Sequence, residues 1–215
     1  MTLGVTWRQI ESREALLDIL GQIPKEVTVA CSGGPDSMAI LSFLSLHGKR
    51  NVSVAYFNHG TSFGAGAEAF IRSYCTAHEL PLTVGMIDTI DRGKKSTEEH
   101  WRDERAAFLE GLKGTVVTGH NLDDAMEWYI FSTLHGKSKL IPYRRNNIVR
   151  PFLTTRKEEL VDWCRRYSVP YMLDPGNTDE RYMRSIIRHN IMSEVLKVNP
   201  GFGKVIKKKI IQENE

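Results

Sequence analysis

The stretch that most limits what this chain can become is Val27-Thr28-Val29-Ala30-Cys31-Ser32-Gly33-Gly34-Pro35-Asp36-Ser37-Met38. Apolar β-branched residues run straight into a Ser-Gly-Gly turn, and an apolar helical pattern from Met38 to Leu46 follows at once. The order is strand, tight glycine turn, helix N-terminus. Two glycines leave the backbone bare, so its N–H groups can close around an anion, and the helix start adds partial positive charge. Ser32 and Ser37 add hydroxyls at the two ends of the turn, so a phosphate fits there. No Gly-Lys-Ser/Thr follows, which excludes a Walker A loop, and Gly-x-Gly-x-x-Gly is absent, which excludes the dinucleotide fingerprint.

A chain of 215 residues makes one domain, or one domain with a modest extension, and can bury a proper core. No apolar run approaches membrane-spanning length, and Met1 to Trp7 has neither a basic start nor an apolar centre. The expectation is a cytoplasmic protein with no signal peptide and no membrane partner. Cys31, Cys75 and Cys164 stand far apart and read as buried thiols in a reducing compartment. The net charge of +3 is unevenly spread. Lys137 to Lys157 holds seven Lys or Arg and no acid, and Arg181 to Lys209 holds eight against Glu194 alone. Two such tracts suit a polyanion, although solvated basic faces would look the same.

Periodicity predicts an amphipathic helix from Trp7 to Leu20, then strand one and a helix from Ser37 to Leu46. Strand two follows at Val52 to Phe57, a crossover helix at Ala65 to His78, and strand three at Leu82 to Met86. Asp88 to Lys95 is polar. Ser96 and Glu99 predict a capping box opening a helix through Leu112, followed by strand four at Thr115 to Thr118 and a helix from about Asp123 to Leu134. Alternating strands and helices imply right-handed crossovers and an α/β fold with a doubly wound parallel sheet. Residues 1–142 are expected to form this domain and 143–215 a basic, mainly helical extension. In the extension, Ile148-Val149 is a short apolar pair, Thr155 with Glu158 predicts a second capping box on a helix to about Tyr167, and a helix is expected from Arg181 to Leu196. Asp174 to Asn177 reads as a turn, and Lys204 to Glu215 as weakly helical at best.

The second informative stretch is Gly119-His120-Asn121-Leu122-Asp123-Asp124-Ala125-Met126-Glu127. On a helix starting at Asp123, Asp124 and Glu127 project from one face. Two carboxylates there can hold a cationic amine, share a Mg²⁺ with phosphates, or simply cap the helix.

The Ser32–Ser37 loop resembles the pyrophosphate loop of ATP-pyrophosphatases, which split ATP into AMP and pyrophosphate. With the second stretch, the chain resembles the tRNA(Ile)-lysidine synthetases over most of its length. Asn58-His59-Gly60 resembles their Asp-His-Gly, and Trp101 to Arg105 their Ala-Arg-x-x-Arg helix. Gly119 to Glu127 resembles their Gly-His-His-x-Asp-Asp-Gln-x-Glu. Arg150 to Leu153, Asp174 to Asn177 and Arg184 to His189 resemble their later Arg-Pro-Leu-Leu, Asp-Pro-Ser-Asn and Arg-Asn-x-Ile-Arg-His blocks. Asn58, Asn121, Ala125 and Ser185 depart from the pattern, and nothing here is long enough to be the C-terminal tRNA-gripping domains of larger relatives.

The resemblance implies an adenine-nucleotide alpha-hydrolase-like, Rossmann-type fold, with ATP and Mg²⁺ as cofactors and tRNA (through its anticodon loop) and lysine as partners. It leaves room for a homodimer. It implies a ligase that adenylates O2 of the wobble cytidine and couples lysine to C2. The nucleotide would be held by Ser32, Gly33, Gly34, Pro35, Asp36 and Ser37, with His59, Arg102 and His120 lining the site and Arg105 beside Arg102 on its helix. Asp36 would orient Mg²⁺ or the loop. Asp124 and Glu127 would hold the amine, and Arg184 and Arg188 would clamp phosphates or the anticodon backbone. Tyr143 and Tyr182, among arginines, offer stacking surfaces for bases. Sulfur transfer of the tRNA 2-thiolation type uses the same loop, as does small-molecule amidation. A non-catalytic ATP- or tRNA-binding relative is the remaining alternative.

Overall fold

Five residues, Glu26–Ala30, form strand β1, and their valines decide where everything else packs. The computed structural model describes residues 17–87, 96–174 and 183–215. Parallel neighbours β2 (Asn51–Asn58) and β4 (Val116–Thr118) flank β1, with Val29 opposite Val54 on one side and Val117 on the other. β3 (Leu82–Met86) extends the sheet beyond β2. On the other side lie β6 (Ile148–Val149), parallel to β4, and β5 (Arg144–Arg145), antiparallel to β6. The order is β3-β2-β1-β4-β6-β5.

Adjacent strand residues point to opposite faces, and this alternation splits the core. Val29, Val54, Val117 and Val149 join the main cluster. It includes side chains of α1 (Pro35–Ser42, continued by a π-helical turn Phe43–His47), α2 (Ser62–Ala77), α4 (Leu122–Leu134) and α5 (Lys157–Arg166). Ala55, Val116 and Ile148 face the other way and meet Leu109 of α3 (Thr97–Gly111). Helices therefore cover both faces, as the doubly wound pattern requires. α1 is buried from Ser37 to Ser42 because α5 roofs it: Trp163 Nε1 donates to Ser42 Oγ at 3.4 Å, and the Phe43 ring meets Trp163 edge-on at 5.1 Å.

The chain leaves β1 toward β2 in one direction and enters β4 on the opposite side. That reversal opens a crevice outside the carboxyl ends of β1 and β4.

Three expectations change, and a fourth lies mostly outside the described residues. The N-terminal helix lies mostly outside the described residues, and residues 17–20 are irregular, with Leu17 and Leu20 buried. Helix α5 starts one residue later than its expected cap. Arg156 N–H donates to Glu159 Oε2 at 2.6 Å, while the Thr155 hydroxyl donates to the Asp18 carbonyl at 2.6 Å. The tail is a full helix, α8 (Phe202–Glu213), because Ile206 and Ile210 are wholly buried, Gly203 lies against Met126 of α4, and the lysines stay outside. Tyr143 is buried and offers no stacking surface, its hydroxyl lying against Gly21. The boundary expected at residue 142 falls just before β5 and β6, which belong to the same sheet. The last helical segments are α6 (Met183–Ile186), a π-helical turn Ile187–Ile191, and α7 (Met192–Val198). The Asp88–Lys95 stretch, Pro175 to Asn177, Arg181 and Tyr182 lie outside the described residues.

Candidate active site

The loop after β1 is shaped by one glycine and one hydroxyl. Gly33 has φ +82°, in the left-handed region where an L side chain is strained, although a Cβ there would find ordinary room, 3.6 Å from Ile71 and Phe70. Its carbonyl accepts the Met172 N–H at 2.8 Å. Ser37 Oγ donates to the Gly34 carbonyl at 3.0 Å and accepts the Ser32 N–H at 3.1 Å. Its single proton is committed, so Ser37 holds the loop's shape while the exposed Ser32 hydroxyl stands 3.2 Å from it. Pro35 opens α1, and no side chain caps the helix from Gly34. The first-turn amides of α1 are thus left for an anion.

Asp36 lies in that first turn. Its Oδ2 is 3.9 Å from Lys157 Nζ, and its Oδ1 is buried with no hydrogen-bond partner. Burial pushes the carboxyl up to about 6, against the pull of Lys157, with Asp124 pushing the same way as burial. An orphaned carboxylate oxygen beside bare amides fits a divalent cation whose other ligands are phosphate oxygens and water. Among the described residues no group of three His, Cys, Asp or Glu side chains converges.

Gly119, after β4, packs on the loop; a Cβ there would lie 3.6 Å from Ser37 N. Asn121 then caps α4 reciprocally with Asp124, each side chain accepting the other's N–H at 3.1 Å. Asp123 takes a bidentate Arg156 at 3.1 Å through both nitrogens and the Lys157 N–H at 2.8 Å, tying the starts of α4 and α5 together. Glu127, one turn on, is buried and held by the Arg188 fork, Nε to Oε1 at 2.6 Å and Nη2 to Oε2 at 2.9 Å. Arg184 Nη2 is 3.8 Å from Glu127 Oε2, and Arg188 Nη2 is 3.8 Å from Asp124 Oδ1.

Both candidate histidines are neutral at physiological pH. Burial, then Arg150, Arg105 and Arg184, push His120 down to about 3, and its Nδ1 is 2.9 Å from Thr118 Oγ1. Burial, then Arg105, push His59 down to about 4. The His59 ring lies 5.4 Å from Trp101, and its Nδ1 is buried without a partner.

The crevice thus gathers Ser32 to Ser37, His120, Asp124, Glu127, Arg184 and Arg188. His59 sits one strand away at the end of β2. Arg102 is turned to the surface, 3.5 Å from Asp103 and 3.9 Å from Glu99, while Arg105 reaches electrostatically toward Arg184 and Asp124. Lys157 is an addition that no local pattern marks, whereas Arg150, which directly follows β6, heads the Arg150–Leu153 block noted in the sequence. The departure at Asn58 has a partner: its Nδ2 donates to Glu68 Oε2 at 3.0 Å, where an aspartate would repel. The three cysteines are buried free thiols, and burial pushes Cys75 and Cys164 up to about 11, which disfavours them as sulfur nucleophiles.

The PP-loop domain family matches residues 9–195. The chain is 29% identical over 196 residues to the bifunctional protein TilS/HprT of Listeria innocua serovar 6a, covering 82% of this chain and 30% of that protein. It is 30% identical over 194 residues to the tRNA(Ile)-lysidine synthase of Staphylococcus aureus strain COL, covering 80% of this chain and 44% of that one. The chain thus spans less than half the length of either curated relative. Among solved structures, the NH3-dependent NAD synthetase of Campylobacter jejuni shares the fold at a TM-score of 0.50 and 17% identity, over 88% of this chain and 85% of that one.

Proposed function

This chain belongs to the PP-loop domain family, and from that premise we propose that it is an ATP-dependent ligase that adenylates the wobble cytidine (C34) of a tRNA and joins lysine to it. One observation carries the reading: the uncapped loop after β1 and the acidic start of α4 open into one crevice, with Asp36 and Asp124 in electrostatic contact. The names of the similar proteins agree with it.

The triphosphate would lie on the first-turn amides of α1 and the Ser32 hydroxyl. O2 of the cytidine forms a bond to the α-phosphorus as the α–β phosphoanhydride breaks and pyrophosphate leaves. The lysine ε-nitrogen then bonds to C2 as the C2–O2 bond breaks and AMP leaves. Asp124 and Glu127 orient the amine, and Arg184 and Arg188 bring positive charge to the phosphates. His120, neutral, lines the pocket without adding charge. A divalent cation at Asp36 Oδ1 would offset charge growing on the leaving pyrophosphate.

Incubation with ATP, lysine and bulk tRNA, followed by mass spectrometry of the digested nucleosides, tests this. The expected product is a cytidine carrying one lysine, with pyrophosphate release that requires tRNA and that continues past one equivalent per enzyme only when lysine is present. Continued turnover of pyrophosphate without lysine, or an unmodified nucleoside pool, would refute it.

A further inference from the structure

The acidic position assigned above to the amine is already filled in this chain. Glu127 is only 4% exposed, and both its oxygens are engaged by Arg188. An arriving ammonium would meet a carboxylate whose charge is neutralised and each of whose oxygens already accepts from the guanidinium fork. The same guanidinium lies 3.8 Å from Asp124 and within electrostatic reach of Asp36 in the loop, so it stands between the carboxylates and the phosphate cradle. It is carried on the π-helical turn Ile187–Ile191, a form concentrated at functional positions in helices. One helical turn earlier, Arg184 faces the same carboxylate at 3.8 Å, and its Nε is buried with no partner. Two guanidiniums compete for one acid, and one is left short.

We propose that Arg188 is a specificity-determining residue shared between two partners. It occupies Glu127 until a nucleoside triphosphate fills the loop, then turns its fork to the phosphate oxygens and yields the carboxylate to the amine. The inference rests on the nucleotide reading above. Guanidinium pairs with phosphate as it does with carboxylate, in the same bidentate geometry, and a triphosphate presents more charge than Glu127 does. The exchange makes amine capture follow nucleotide capture and keeps free cationic amines out of an unloaded site.

The test is the affinity for α,β-methylene ATP, measured by equilibrium dialysis on the full chain. Glu127→Gln removes the competing charge and should tighten the analogue about tenfold, whereas Arg188→Gln should weaken it by a similar factor. The double variant should bind no more tightly than Arg188→Gln alone, because the exchange runs through the Arg188 fork and not through Arg184, which lies 3.8 Å from Glu127 without closing on it. Glu127→Asp, which keeps the charge but draws the carboxylate back, should shift binding in the same direction and serves if the amide variant melts early by circular dichroism. Unchanged or weakened binding in the Glu127 variants, or tightening that persists without Arg188, overturns the exchange alone. Failure of the unmutated chain to bind the analogue overturns the nucleotide reading and the exchange with it.

Discussion

Asp36 shows the conflict between stability and chemistry at a single residue. A carboxyl raised from 3.8 to about 6 holds its proton in the folded chain at pH values where the unfolded chain has released it. Folding stability contributed by this group is therefore lost as pH rises from about 4 to about 6. Asp36→Asn should remove that loss, so the stability gap between variant and parent in urea melts should widen across this window. It should then level off at up to about 3 kcal/mol in the variant's favour. The same variant should release no pyrophosphate in the tRNA- and lysine-dependent assay. The position of Asp36 was legible in the sequence, since spacing alone puts it in the first turn beside the glycines. Its partner Lys157 was not, because the contact joins residues on two helices with five of the six strands between them in sequence. The fork of Arg188 on Glu127 was hidden for the same reason: each residue was readable as a candidate, but not their pairing.

Among the elements, α8 departs furthest from expectation. Its lysines dominate the composition and mask Ile206 and Ile210, spaced four apart on one face. Both are wholly buried in the main core, so the helix belongs to the fold rather than hanging from it. Ile206→Ala should cost about 2–5 kcal/mol, read from the urea midpoint, a large part of a typical domain's stability. The parallel strands were easy to read because β-branched runs alternate with helical periods. β5 and β6, two residues each, carry too little pattern to register, and their strand character comes from pairing with β4 and with each other. The misplaced cap of α5 has a tertiary cause too: Asp18 takes the Thr155 hydroxyl that a local rule would give to the helix.

For the whole molecule, the structure thins out the two basic tracts. Arg145 pairs with Glu110, Arg156 with Asp123, Arg188 with Glu127, Lys197 with Glu194 and Lys207 with Asp18. Among the described residues, exposed Lys137, Lys139, Arg144, Lys204, Lys208 and Lys209 (the last over the Tyr129 ring) are what these pairings leave for a polyanion. If about five phosphates are engaged, tRNA affinity should fall about a hundredfold between about 50 and about 200 mM salt in filter binding. Charge reversal at Lys204 and Lys208 together should flatten that slope without changing the urea midpoint. No helix among the described residues is long and apolar enough to cross a membrane.

The hydrogen bond from Met172 to the Gly33 carbonyl carries a consequence for polarity. In a trans peptide the oxygen and the hydrogen point opposite ways. Anchoring the oxygen from a segment far along the chain therefore stops the Gly33–Gly34 unit from flipping end over end. The cradle can present only its electropositive side, and a loop flexible enough to welcome cations by inversion is barred from doing so before any guest arrives.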